Sequence, residues 1–327
     1  LETLFLSCVD KLFVANVIFS HRRDVDGLMS AAIFLRRFRD AKLNFVDYGK
    51  ENVEELIKKL YALSQGDFVV IADFGLDDDY AKRLSDVLSE LTKKGAIVYW
   101  LDHHNWSEQS ISLVKQAGVH LLKVKDEEAC GAELVHKLFG GNDKFSLTLS
   151  QIAHSTDFHL PLDEVAKTLV CVVDYYNSME KSVCDKNLER LAQNLAEGVF
   201  LDGLTYEHFL EYKKQEEKAI EQLLKDTRTF KVNDFVVAVG FAKDPLGPTK
   251  TCDIIRENVK SDIQVYVKGK KVSFRRSNNA IDCSKIAKNL SGGGHEYAAG
   301  GELAFDAEKH RDEALEEIKK AIQKALS

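Results

Sequence analysis

An aspartate followed by two histidines, Asp102-His103-His104, stands directly after the apolar run Ala96-Ile97-Val98-Tyr99-Trp100-Leu101. Two other apolar runs end in comparable chemistry. Residues 13–19 lead into Ser20-His21-Arg22-Arg23-Asp24-Val25-Asp26-Gly27, and Phe68-Val69-Val70-Ile71-Ala72 leads into Asp73-Phe74-Gly75. Carboxylates with one or two imidazoles suit Mn²⁺, Mg²⁺ or a similar divalent ion better than a thiolate zinc site. Two such ions about 3.5–4 Å apart activate water and neutralise a phosphoryl transition state, which is the chemistry of phosphoester hydrolysis. Asp24 and Asp26, one residue apart on a turn, can each face a different cation, and Gly27 permits a tight turn into a helix. Asp73 is placed to bridge the two cations. His103 and His104 diverge on an extended backbone, so one ligates and the other is free for substrate. A further carboxylate would complete the set; Asp157 in His154-Ser155-Thr156-Asp157-Phe158-His159 is the candidate, with Asp163 and Asp174 as rivals.

A second informative stretch lies near the end of the chain, Ser291-Gly292-Gly293-Gly294-His295-Glu296-Tyr297-Ala298-Ala299-Gly300-Gly301. A glycine run can turn backbone N–H groups toward an anion, and His295 can donate to a phosphate oxygen. Upstream, Lys268, Lys270, Lys271, Arg275 and Arg276 form a basic strip, and Arg276-Ser277 at a strand end reads as a phosphate clamp.

The elements that must position these residues alternate. Strands are expected at 12–19, 44–47, 67–72, 96–102 and 119–124, with helices at 28–39, 53–63 and 78–94 between them, the pattern of a parallel sheet covered on both faces. The ends of such strands are where open α/β sheets bind ligands. A mostly helical stretch, 128–177, follows. Residues 182–226 are charge-rich and helical without a sustained heptad, as in a connector. Strands at 235–241, 263–267 and 271–275, with helices at 252–259, 283–290 and 308–325, make a smaller second α/β domain. The expected limits are therefore 1–181 for a catalytic domain, 182–228 for a helical connector and 229–327 for a substrate-binding domain, with the active site in the cleft between domains.

The totals narrow the class. The chain has 327 residues, 45% of them hydrophobic and 30% charged, which is the composition of an ordinary globular protein. No apolar run reaches the roughly 18–20 residues a bilayer span needs. Six scattered cysteines without short spacing fit reduced cytoplasmic thiols rather than a disulfide framework. The apolar N-terminal stretch has no basic region before it and no small-residue cleavage site after it. A net charge of −7 argues against a surface built to grip long duplex DNA, though not against a local patch for short or single-stranded nucleic acid.

Four motifs, Asp24-Val25-Asp26-Gly27, Asp73, Asp102-His103-His104 and Gly292-Gly293-Gly294-His295, occur in the order found in the DHH phosphoesterase superfamily. The chain resembles the branch of that superfamily whose second domain carries a GGGH motif, which includes RecJ-like exonucleases, NrnA-type nanoRNases and pAp phosphatases, and cyclic-dinucleotide phosphodiesterases. The resemblance implies that His21 and Asp24 bind one Mn²⁺, that Asp26, His103 and Asp157 bind the other, and that Asp73 bridges them. It further implies that His104 contacts the scissile phosphate, that Asp102 orients the histidine pair, and that Arg276, Gly293, Gly294 and His295 hold the far phosphate or terminal nucleotide. Two residues separate His21 from Asp24, a departure from the spacing of other members.

The expected function is hydrolysis of short single-stranded RNA or DNA, or of nucleotides such as pAp, with two divalent cations as cofactors. A RecJ-like exonuclease of longer single-stranded DNA would want an extended basic and aromatic track, and the strip at 268–276 is short for that. A non-catalytic replication scaffold is the reading from another class, and the completeness of the ligand set argues against it. A homodimer and repair or replication partners are compatible with the sequence.

Overall fold

The computed structural model describes residues 15–124 and 128–326. Residues 12–14, the start of the first expected strand, and the apolar N-terminal stretch lie outside the described residues. The chain divides into two units, Leu1–Phe209 and Leu210–Ser327.

The first unit is built on five parallel strands, β1 (Asn16–His21), β2 (Lys42–Val46), β3 (Phe68–Ala72), β4 (Ile97–Asp102) and β5 (His120–Lys123), in the order β2-β1-β3-β4-β5. Helices α1 (Val25–Arg37), α2 (Lys50–Tyr61), α3 (Asp78–Lys93) and α4 (Glu108–Gln116) make the crossovers. Because side chains alternate along a strand, the central strands feed two cores. Ile18, Val70 and Leu101 face one core with Leu28, Ile33 and Phe34 of α1; Phe19, Val69, Ile71 and Trp100 face the other with Leu56 of α2 and Leu84 and Leu88 of α3. The first core is completed by α5 (Gly131–Val135), a single wide turn at His136–Gly140, α6 (Lys144–Asp157), α7 (Glu164–Asn177) and α8 (Lys181–Ala196). Register places three chemical residues in one row. Ser20 pairs with Ala72 and Ala72 with Leu101, so His21, Asp73 and Asp102 each follow by one residue at the carboxyl ends of neighbouring strands. The sheet order reverses direction between β1 and β3, the switch point at which such sheets open a crevice.

A long helix, α9 (Gly203–Asp226), follows, and the division between units falls within it. The second unit holds β6 (Arg228–Val232), β7 (Phe235–Phe241), α10 (Pro248–Asn258), β8 (Ile263–Lys268), β9 (Lys271–Arg276), α11 (Cys283–Lys288), β10 (Gly293–Gly294), β11 (Ala298–Glu302) and α12 (Arg311–Ala325). Its six strands run β10-β11-β9-β8-β7-β6, and only β7 and β8 pair in parallel. Val237, Val239, Val265 and Phe274 pack under α11 and α12; Ala242, Cys252 and Tyr266 pack with Ala219 and Leu223 of α9 on the other side.

The expected α/β architecture, a parallel N-terminal sheet followed by a smaller sheet-containing domain, is the one observed. Some boundaries differ, for physical reasons. Helix α1 starts at Val25 rather than 28 because Asp24 is its cap, its side chain accepting from the Gly27 N–H. The stretch expected as a connector is two helices, and the first, α8, buries Cys184, Leu188, Leu191, Ala192 and Leu195 in the N-terminal core. Strands β6, β10 and β11 were not anticipated: β6 is short and charged, with Arg228 and Lys231, while the Gly and Ala of β10 and β11 carry little strand propensity and pair through backbone. Among the described residues, no helix is long and apolar enough to cross a membrane.

Candidate metal centre

His21, Asp73, Asp102 and the His103-His104 pair emerge together at the strand ends, and the cap and first turn of α1 and the last turn of α6 bring Asp24, Asp26 and Asp157 to them. Ligand atoms of His21, Asp24 and Asp73 lie within 4.8 Å of one another; so do those of Asp26, His103 and Asp157, and those of Asp73, His103 and His104. Asp73 thus belongs with groups on both sides, its Oδ1 standing 3.4 Å from His103 Nε2. Asp26 and Asp73 are each 1% exposed. Asp157 reaches 3.7 Å from His103 Nε2 at the last turn of α6. Of its rivals, Asp163 caps α7 by accepting from the Ala166 N–H, and Asp174 lines the same cavity as Asp24, Asp26 and Asp157, about 330 Å³ in volume.

Local sequence explains the positions. Asp24 does two jobs: Oδ1 caps α1, and Oδ2 lies 2.9 Å from His21 Nδ1. A Cβ on Gly27 would stand 1.9 Å from the His21 carbonyl oxygen, so only glycine lets the helix begin so close to the strand end. The Asp73 backbone has φ of +53°, a left-handed conformation that an aspartate tolerates and that stores strain where the carboxylate turns into the cluster. Asp26 is held by backbone, its two oxygens accepting from the Gly131 and Ala132 N–H groups at 2.6 and 2.7 Å. A Cβ on Gly131 would meet Asp73 Cβ at 2.5 Å and Asp26 Oδ2 at 3.0 Å.

Asp102 is fully buried and holds His104 in place. Oδ1 lies 2.8 Å from His104 Nδ1, while Oδ2 accepts from the His104 backbone N–H at 3.1 Å and from Trp106 Nε1 at 2.6 Å. This fixes the His104 ring with Nε2 as its remaining polar atom, 3.5 Å from the Tyr48 hydroxyl. Tyr48 accepts from the Gly75 N–H and stacks on Phe74. Arg22 and Arg23 converge on the buried Asp47, pinning the β1–α1 loop.

The electrostatics are those of a site short of positive charge. Burial, then repulsion from Asp73 and Asp24, pushes Asp26 well above the carboxylate range. Burial and the charge of Asp24 raise Asp73 to about 7, with His21 and His104 offsetting part of the effect. Burial opposes the charge on His21, yet Asp24 and Asp73 outweigh it and lift the imidazole to about 10. Asp24, its side chain nearly half exposed, is disfavoured by burial but carried down to about 2 by His21 and the Gly27 N–H. His104 is likewise raised, Asp102 outweighing burial. Within the cluster the buried His21 Nε2 and Asp73 Oδ2 have no hydrogen-bond partner. Buried polar atoms are rarely left so, and repelling carboxylates beside imidazoles fit a divalent cation in their midst.

The C-terminal residues form a separate group. Gly293 and Gly294 lie in β10, and His295 begins the turn to β11, its N–H donating to the Ala298 carbonyl at 2.8 Å. Residues 293–297 are exposed, and the rings of His295 and Tyr297 stack with centroids 5.4 Å apart. Arg276 reaches the Ile281 carbonyl at 2.6 Å and Glu296 at 3.2 Å. The Ser277 hydroxyl accepts from Gln264 Nε2.

Sequence reasoning passed over Asp47, Tyr48, Trp106, Gly131 and Glu133. The last carried a signal, since a Glu three residues after a helix cap is the mark of a capping box; the others act through contacts that only the fold creates, Asp47 on Arg22 and Arg23, Tyr48 beside His104, Trp106 on Asp102 and Gly131 on Asp26.

Residues 16–156 match the family model described as DHH family, N-terminal domain, and residues 233–325 match the DHHA1 domain. No curated protein matches the chain. Among solved structures, the pGpG-specific phosphodiesterase PggH from Vibrio cholerae aligns over 94% of this chain and 98% of that one, at 13% identity and a TM-score of 0.53, a likeness of fold. An uncharacterized protein from Helicobacter pylori G27 aligns over 94% and 99% at 17% identity with a TM-score of 0.46. An exopolyphosphatase-related protein from Bacteroides fragilis aligns over 100% and 97% at 13% identity with a TM-score of 0.49. With both domain models matched in order and the motif residues gathered at the strand ends, the chain belongs to the DHH superfamily and is a phosphoric-ester hydrolase.

Proposed function

We propose that the protein hydrolyses short single-stranded oligonucleotides, or nucleotides such as pAp, using two divalent cations, with Mn²⁺ the preferred ion, and that it belongs with the GGGH-bearing branch of the superfamily. In this reading His21, Asp24 and Asp73 hold one cation, and Asp26, His103 and Asp157 hold the other with Asp73 shared. The observation that carries it is the pair of ligand triads flanking one buried aspartate that has an unpartnered oxygen. When bound, such cations supply an activated water and charge neutralisation at phosphorus.

The chain's own residues supply the rest. His104, with Nδ1 held by Asp102, presents Nε2 to a phosphate oxygen. Tyr48 limits the swing of that ring. In the C-terminal domain, the exposed Gly293-Gly294-His295 edge would receive the far phosphate or terminal nucleotide, with Arg276 and Ser277 beside it; Arg276 would exchange Glu296 for the phosphate. The fold likeness to a phosphodiesterase described as pGpG-specific is in keeping with a dinucleotide-sized substrate.

The test is incubation with Mn²⁺ of labelled RNA and DNA oligomers from dinucleotides upward, together with pAp and pGpG, alongside Asp73→Ala. Cleavage confined to the shortest species and to nucleotides, absent in the variant, is the expected result. Digestion that favours the longest DNA would overturn the short-substrate reading in favour of a RecJ-like nuclease, and no Mn²⁺-dependent cleavage would overturn both.

A further inference from the structure

The triad Asp26, His103 and Asp157 draws on three separate elements: α1, the loop after β4 and the last turn of α6. Glu133 and His154, which have no role in the chemistry above, join two of them. Glu133 Oε2 accepts from the Cys130 N–H at 2.9 Å, closing the turn that opens α5. The next two N–H groups of that turn, those of Gly131 and Ala132, are the ones that hold Asp26. The same oxygen lies 2.9 Å from His154 Nδ1. His154 precedes Asp157 by three residues on α6, so the two side chains leave the same face of the helix. One carboxylate oxygen therefore ties the cradle of Asp26 to the helix that carries Asp157. The contact extends to the third member of the triad: the His154 ring packs on Phe158 at 4.5 Å between centroids, and Phe158 stands edge-on to His103 at 6.5 Å.

A surface ion pair with no further role would look different. Both side chains are about one-third exposed, at 33% and 35%, and such a pair by itself contributes little. Here the shared oxygen closes a backbone turn and grips a second element at once, and both elements end in ligand residues of the same triad.

We infer that Glu133 and His154 are positioning residues that set the separation of Asp26 from Asp157, and through it the affinity for the cation held by Asp26, His103 and Asp157. The inference rests on the two-cation reading of the site and adds to it a determinant outside the family motifs. It predicts an asymmetry: disturbing the pair weakens one cation and spares the one held by His21, Asp24 and Asp73.

Calorimetric titration of the full chain with Mn²⁺ reads this directly, using wild type, Glu133→Ala, His154→Leu and Glu133→Gln. Wild type should show two binding events. Glu133→Ala and His154→Leu should each weaken one event by about 10–100-fold, the usual cost of losing a partner that orients a ligand, and leave the other unchanged. Their loss of kcat should be recovered by raising Mn²⁺. Glu133→Gln should bind as wild type does, because its amide oxygen can accept both hydrogen bonds. His154→Leu leaves the Cys130 cap intact and so keeps the test independent of helix folding. Two unchanged events in both Glu133→Ala and His154→Leu would overturn the inference. So would equal weakening of both events with no rescue by Glu133→Gln, which marks a merely structural role. Fewer than two events in wild type would instead remove the two-cation reading beneath it.

Discussion

In the N-terminal unit Asp26 and Asp73 are buried within reach of one another's charge and of Asp24, and His21 Nε2 and Asp73 Oδ2 lack a hydrogen-bond partner. In the C-terminal unit the buried Glu216 sits between Lys213 and Lys250, Asp226 pairs with Arg311, and Arg276 is braced by two carbonyls and Glu296. One region carries unfavourable electrostatics that a cation would relieve. The other pairs its buried carboxylate internally and presents an edge of exposed backbone and one imidazole. The difference separates a cluster short of positive charge from one whose charges are paired, although both are rich in polar residues.

The largest effect that would break this comparison lies at Asp73. Asp73→Asn should lower Mn²⁺-dependent turnover by well over the ~100-fold upper cost of losing an orienting partner. The same change should raise the melting temperature of the metal-free protein, because it removes a buried charge that its neighbours repel. A variant that loses activity and stability together would contradict the second half.

Saturating divalent cation should sharpen the contrast from the other side. At 100 times the dissociation constant it should stabilise the N-terminal unit by about 2.7 kcal/mol per independent site. Hydrogen exchange should show added protection at β1, β3 and β4 and none at β7–β9. Protection spread equally over both units would count against the assignment.

Asp102→Asn comes next. It removes the carboxylate that holds His104, and kcat should fall about 10–100-fold with Mn²⁺ affinity little changed. A matching loss of Mn²⁺ affinity would mean that Asp102 serves the ligands rather than His104.

A further contrast is in pH dependence, where the two units should slope in opposite directions. Asp73 has a folded-state pKa of about 7 against ~3.9 unfolded, so the folded state binds the extra proton between those values. Stability of the metal-free N-terminal unit should therefore decline as pH rises through that window, Asp26 adding the same sign and His21 continuing it toward about 10. Asp24 opposes this only below about pH 4, where its depressed pKa matters. Glu216 is depressed, burial being outweighed by Lys213 and Lys250. Its contribution is full above ~4.3 and lost as pH falls through its folded value. Urea unfolding of the metal-free protein across about pH 3 to 7, followed by hydrogen exchange in each unit, reads both slopes, that of Glu216 below ~4.3 and that of Asp73 above it.

The parallel sheet was legible because Val69, Val70 and Ile71, like Val98 and Trp100, are buried on both faces and read as continuous apolar runs. The candidate cluster was partly legible because His21, Asp73 and Asp102-His103-His104 each follow closely on such a run. Asp157 was less so: its neighbours are helical and polar, and only folding distinguishes it from Asp163, which turned out to be a cap. The Gly-rich edge read as an anion-binding loop because nothing in Gly293-Gly294 signals a strand; its pairing with β11 depends on residues that follow it. Gly131 and Glu133 were missed because their importance comes from Asp26, more than a hundred residues away in sequence.

The most direct test of the centre is a crystal of the protein soaked in Mn²⁺ and measured at the manganese absorption edge. Two anomalous peaks are expected, one against His21, Asp24 and Asp73 and one against Asp26, His103 and Asp157, with Asp73 touching both. A single peak, or none within reach of Asp73, would contradict the two-cation centre.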